Sequence, residues 1–259
     1  MVHWIEGAFA LLIGAAFGSF ANVLVVRLKD ASSIWGRSRC VHCAHPIRSH
    51  HLVPILSWFF LHGQCPDCAK PIHWQYPIVE AVGALIGFVA FSRHDPLTDP
   101  RIASLFLFEF LFAMDLLVLV TFDLRWRLLP IEFMAGSGLV FALFRLISGV
   151  LTLREVAIGL AVGGGFLGIQ VVLSRGRWMG FGDPWAGAMI GAALGWPMIA
   201  YAFYFTYIVG GFVALMLLAT GILSRGTRIP FAPWLATGAL CALWFGPLVH
   251  GYLSHVFGW

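Results

Sequence analysis

Eight apolar runs, most of them close to the roughly 20 residues that an α-helix needs to cross a bilayer, fill most of this chain. They lie at 7–26, 75–92, 102–122, 129–150, 156–174, 184–199, 199–223 and 232–254. This succession predicts an all-α polytopic membrane protein of about eight transmembrane helices. The sixth and seventh runs are nearly continuous across Trp196-Pro197, so a seven-span reading stays open. Composition agrees: 11% of the 259 residues are charged, where soluble domains average about 25%. The first run lacks a small-residue cleavage site behind a short apolar stretch and reads as a retained helix, not a signal peptide.

The basic residues orient the spans. The first loop holds Arg27, Lys29, Arg37, Arg39, Arg48 and Lys70 against Asp30 and Asp67, whereas the second balances Arg93 and Arg101 with Asp95 and Asp99. Arg125 and Arg127 mark the third loop, Arg175 and Arg177 the fifth, Arg225 and Arg228 the seventh. The fourth pairs Arg154 with Glu155. Basic loops stay in the cytoplasm, so the odd loops are expected inside and both termini outside.

Residues 27–75 form the one sizeable polar segment, between a first helix (1–26) and a helical membrane domain (76–259). It carries Cys40-Val-His-Cys43 and Cys65-Pro-Asp-Cys68. Four thiolates complete the tetrahedron of structural Zn²⁺, and a loop this short needs such a cross-link to hold a shape. Reversible disulfides or free thiols are the alternatives, and a cytoplasmic location disfavours persistent disulfides. His42, His45, His50, His51, His62 and His73 are spare ligands. Cys241, in an apolar run, is expected to pack. The loop has no dense basic stripe, so no nucleic acid partner is expected.

A carboxylate at membrane depth is costly and marks a functional candidate. Asp123 ends the third run and Asp183 precedes the sixth, so the loop charges bring both to the cytoplasmic edge. Gly180 and Gly182 clear side chains from before Asp183, allowing positive φ or close backbone approach. With Pro184 behind it, Asp183 serves equally well as a helix N-cap or as half of a catalytic site. Asp115 lies about 12 Å and 80° from Asp123 on a common helix. It and Glu109 are expected as neutral, hydrogen-bonded carboxyls inside the bundle. Glu132, after Leu129-Pro130, suits the first turn of a helix.

Taken together, the motifs resemble the type IV prepilin peptidases, intramembrane aspartic proteases of the Gly-x-Gly-Asp type. The resemblance rests on Gly18-Ser-Phe-Ala-Asn22 with Val25-Val-Arg-Leu28, the two Cys-x-x-Cys pairs and Tyr76-Pro-Ile-Val-Glu80. It extends to Asp123-Leu-Arg-Trp-Arg-Leu-Leu-Pro130, Gly180-Phe-Gly-Asp183 and Ile229-Pro-Phe-Ala-Pro233. It implies Asp123 and Asp183 as the catalytic pair and Cys40, Cys43, Cys65 and Cys68 as zinc ligands in a cytoplasmic loop domain. It further implies cleavage of prepilin or pseudopilin leaders at the bacterial inner membrane, with S-adenosylmethionine-dependent N-methylation of the new terminus. Two departures stand out. Trp185 occupies a position where the family usually has Lys, and Ile131-Glu132 follows Pro130 where an acidic residue is common. A non-catalytic assembly protein of a pilus or secretion system and a proton-coupled transporter are the competing readings.

Overall fold

The computed structural model describes residues 4–222 and 229–257; Arg225 and Arg228 of the seventh loop lie outside them. Nine α-helices are seen among the described residues: α1 (Trp4–Lys29), α2 (Leu56–Phe60), α3 (Gln75–Arg93), α4 (Pro100–Trp126), α5 (Ile131–Ile147), α6 (Leu153–Ser174), α7 (Asp183–Leu194), α8 (Met198–Ala219) and α9 (Ala232–Phe257). Every expected apolar run forms a helix. Six of them, α1, α3, α4, α6, α8 and α9, are long and apolar enough to span a bilayer. The other two runs give α5, with 17 residues, and α7, with 12. A 12-residue helix is about 18 Å long, well short of the roughly 30 Å hydrocarbon core. The chain is a multi-pass membrane protein. The sixth and seventh runs are separate helices, because α7 stops at Gly195 (φ 72) and α8 starts after Pro197.

The chain divides into two compact units, residues 1–121 and 122–259. In the first, α1 and α3 pack antiparallel through small residues. A Cβ on Gly18 would meet the Val79 carbonyl at 2.7 Å, and one on Gly83 would meet the Gly18 Cα at 2.9 Å. Without a hydrophobic driving force between helices in lipid, such seams let backbones touch and gain dispersion energy. The rings of Phe17 and Phe110 meet edge to face at 5.0 Å, placing part of α4 against α1. Buried Asn22 ties the two helices at one end, donating to the Tyr76 carbonyl (3.2 Å) and accepting from Gln75 Nε2 (3.2 Å).

Glu109 is held inside the first unit by two basic neighbours. It is buried on α4, and Arg93 Nε stands 3.1 Å and His94 Nε2 2.8 Å from its oxygens. A buried carboxyl needs such hydrogen-bond partners to offset its lost hydration.

In the second unit, α6 and α7 form the tightest seam. Gly159 faces Gly191 and Gly163 faces Gly187, with backbone on backbone. One turn further along, this antiparallel register sets Asp183 level with Leu167. Leu167 is seven residues short of Ser174, the last residue of α6, so Asp183 is recessed by about 10 Å from the end of α6. A capping box starts α6: Thr152 Oγ1 accepts from the Glu155 N–H and Glu155 Oε2 accepts from the Thr152 N–H, closing two orphan donors. α8 and α9 pair along Thr206 and Gly238.

Candidate active site and metal centre

Three loops of the second unit build the carboxylate site. Asp123 occupies the last turn of α4, where the Arg127 N–H returns to its carbonyl at 2.7 Å and Arg127 itself adopts φ 55. Its carboxylate Oδ2 accepts the N–H of Ala232, the first residue of α9, at 3.0 Å, and the Phe231 N–H also interacts with the carboxyl. The Arg127 guanidinium lies within electrostatic range. That cation acts on Asp123, although position 185 is Trp.

Asp183 is the first residue of α7, and Gly182 takes the cap position. Its carboxylate does not reach forward to the helix N–H groups as an N-cap would. It turns back, and Oδ2 accepts the Gly180 N–H at 2.7 Å. The Asp183 N–H in turn reaches the Gly180 carbonyl at 3.3 Å. Gly182 is required for close approach: a Cβ there would lie 2.8 Å from the Leu129 Cβ. Both carboxylates are buried, at 7% (Asp123) and 5% (Asp183) exposure, and Asp123 acts electrostatically on Asp183. Trp185 is exposed on the first turn of α7, and Glu132 falls in the first turn of α5.

The four cysteines of the first unit converge. Their Sγ atoms all lie within 4.8 Å of one another, with Cys40 and Cys68 at 3.9 Å. A tetrahedral ion with bonds of about 2.3 Å has S···S edges of about 3.8 Å, so the set fits a metal. None of the six loop histidines joins the cluster. For Cys40, burial acts upward, but the N–H groups of Cys43 and His42 and the neighbouring thiols bring it down to about 7. For Cys68, the Lys70 N–H acts downward, but burial and the thiols of Cys65, Cys43 and Cys40 push it up to about 11. Four thiolates in this volume need a cation.

The module holding them is a repeat that reading the cysteines alone misses. Ser38-Arg-Cys-Val-His-Cys-Ala-His-Pro-Ile47 and Gly63-Gln-Cys-Pro-Asp-Cys-Ala-Lys-Pro-Ile72 match at an offset of 25 positions. Each half repeats the same backbone geometry. Cys40 N–H reaches the His45 carbonyl as Cys65 N–H reaches Lys70, and Ile47 N–H reaches Ser38 as Ile72 N–H reaches Gly63. Ala44 (φ 57) and Ala69 (φ 55) both turn left-handed, and the bridges Arg39–Pro46 and Gln64–Pro71 correspond. Between the halves, Trp58 packs under Gly63 and donates to the Ile72 carbonyl at 3.1 Å, and Glu80 on α3 takes the Ile55 N–H at 2.6 Å. Arg27, at the end of α1, gathers the carbonyls of Ser33, Ile34 and Gly36.

The profile of the bacterial peptidase A24 N-terminal domain matches residues 12–94, and that of the type IV leader peptidase family residues 110–215. A prepilin leader peptidase/N-methyltransferase of Bacillus subtilis (strain 168) is 30% identical over 250 residues, covering 95% of this chain and 98% of the relative. The chain belongs to the type IV leader peptidase family. Relatives of the same description in Aeromonas hydrophila (29% over 292 residues, 97% of this chain and 95% of the relative) and Stutzerimonas stutzeri (31% over 280, 95% and 93%) agree along the chain. No solved structure matches it. Within the family profile the matched regions include the cysteine module, Asp123 and Asp183. Asn22 and Glu80, which the sequence singled out only by resemblance, have concrete work in this structure: one latches α1 to α3 and the other holds the loop to α3.

Proposed function

We propose that this protein is a prepilin leader peptidase that also N-methylates the cut product, with Asp123 and Asp183 as its catalytic pair. The observation that carries the reading is two buried carboxyls, each oriented by a backbone N–H from a different loop, set at one end of a helical membrane protein of the type IV leader peptidase family. The competing transporter and scaffold readings have no comparable support.

One carboxylate takes a proton from water while the protonated partner donates a hydrogen bond to the scissile carbonyl. The water oxygen bonds to the carbonyl carbon, the C–N bond breaks, and the pair returns a proton to the leaving amine. Because Asp183 is recessed by about 10 Å from the end of α6, the substrate's cleavage site must bend into the protein. The excess of basic residues in the odd loops supports a cytoplasmic location for residues 27–75, and likewise for the loops that carry the aspartates, in a bacterial inner membrane. There the cysteine module carries structural zinc, whose role is to hold the two halves of the repeat together. S-adenosylmethionine is the methyl donor.

Incubating purified protein with a peptide that joins a basic leader, a Gly and a following apolar segment, together with methyl-labelled S-adenosylmethionine, tests this reading. It predicts one cut after the Gly and label on the new N-terminal amine. An intact peptide would refute the peptidase, and a cut without label would refute the transferase alone.

A further inference from the structure

Tyr207 and Gln170 are a polar pair on a surface that otherwise suits lipid. Tyr207 projects from α8 and Gln170 from α6, and the phenol donates to Gln170 Oε1 at 2.9 Å. Around them Ile169, Val172, Ile208 and Phe212 are apolar and exposed. A phenol and a carboxamide on a lipid-facing surface cost free energy that a plain apolar contact avoids, and their mutual bond offsets only part of it. The Gln170 amide otherwise reaches the Phe166 carbonyl only at 3.4 Å.

Their position ties them to the carboxylates. The Tyr207 ring packs edge to face on Phe166 at 5.9 Å and lies 6.3 Å from the ring of Phe231. Phe231 is the residue next to Ala232, whose N–H holds Asp123. On α6, Gln170 is about one turn beyond Leu167, the residue level with Asp183. The Asp183 carboxyl is within electrostatic range of the phenol. A peptide coming from the lipid toward the aspartates across α6 and α8 would meet this pair.

We propose that Tyr207 and Gln170 bind the main chain of the substrate's extended segment as it leaves lipid for the catalytic carboxyls. Unwinding an apolar segment at membrane depth strips its peptide groups of helix partners, and each unpaired group costs free energy. A hydroxyl and a carboxamide supply both donor and acceptor for those groups without reading side chains, so the pair takes apolar substrates of varied sequence. The proposal rests on the peptidase reading.

The test measures kcat and KM on the leader–Gly–apolar peptide for wild type, Tyr207→Phe and Gln170→Leu, beside a peptide with one amide near the cut replaced by an ester. Loss of a hydrogen bond to substrate is expected to lower kcat/KM about tenfold in each variant, through KM, with kcat within about twofold. An ester at the amide whose N–H Gln170 Oε1 accepts should weaken wild type by a similar factor and leave Gln170→Leu unaffected. Variants whose KM matches wild type overturn the subsite, even if thermal stability falls, because that is the signature of a purely interhelical bond. A wild-type protein that cuts nothing removes the peptidase reading and the subsite with it, whereas normal cutting with unchanged KM removes the subsite alone.

Discussion

Leu129 closes over Gly182: a Cβ at position 182 would sit 2.8 Å from the Leu129 Cβ and 3.4 Å from its Cδ1. This contact joins the loop after Asp123 to the turn before Asp183, so it sets the spacing of the two carboxyls. Gly182→Ala should force the loops apart and lower kcat/KM on the order of 10²-fold, the cost of about 1 Å of misplacement at reacting groups. Leu129→Gly in the same chain should restore most of the loss, because it removes the Leu129 Cβ that a methyl at 182 would meet. Cleavage kinetics of the three variants check it; an Ala at 182 as active as wild type contradicts it.

The seam of α6 and α7 gives a stability prediction. Gly187 and Gly191 lie against the backbone of Gly163 and Gly159, with no space for a methyl group, whereas a Cβ at Gly165 meets nothing within 4 Å. Gly187→Ala should destabilise by about 1–3 kcal/mol, the usual cost of overpacking, and lower the melting temperature in detergent. Gly165→Ala should leave it unchanged or raise it slightly, since Ala is the better helix former.

The cysteine cluster predicts one metal ion per chain. Substituting any one of Cys40, Cys43, Cys65 or Cys68 with Ser should abolish stoichiometric zinc, measured by elemental analysis, while Cys241→Ser keeps it. The ligands must be thiolates, so lowering pH should release the metal as protons compete for sulfur. Among the metal-free thiols Cys40, at about 7, ionises early and Cys68, at about 11, late, so rebinding should steepen as pH rises above neutrality.

Much of the architecture was legible in the chain itself. Apolar runs mark the helices because a bilayer demands length and uniform hydrophobicity, and these survive whatever the tertiary packing. Paired cysteines mark the metal cluster because the chemistry needs those atoms and no others. What the pattern left open depends on distant partners. The partners of Glu109 could not be read, because Arg93 and His94 reach it from beyond the α3–α4 loop. Asp183 read equally as a cap because only the folded turn shows its carboxylate facing back to Gly180. The donors Phe231 and Ala232 lie more than a hundred residues from Asp123, and Tyr207 and Gln170 belong to no motif at all. The knuckle repeat was visible in Cys-x-x-Cys-Ala-x-Pro-Ile, a signal hidden by looking at cysteines alone.

Glu109 should matter to stability and not to cleavage. Glu109→Gln removes the charge that faces Arg93 and His94 and should cost about 2 kcal/mol, the scale of hydrogen bonds to a charged group, read as a lower melting temperature. Its kcat/KM should stay within about twofold of wild type. A transporter reading would instead make this residue essential to activity.

The account's central claim is that Asp123 and Asp183 act as one catalytic unit. The measurement that tests it most directly is cleavage of the leader peptide by wild type, Asp123→Asn, Asp183→Asn and the double variant, each checked for membrane insertion and normal melting. The account predicts that each single variant loses cleavage as completely as the double one while remaining folded. Processing by either single variant at a rate near wild type would contradict it.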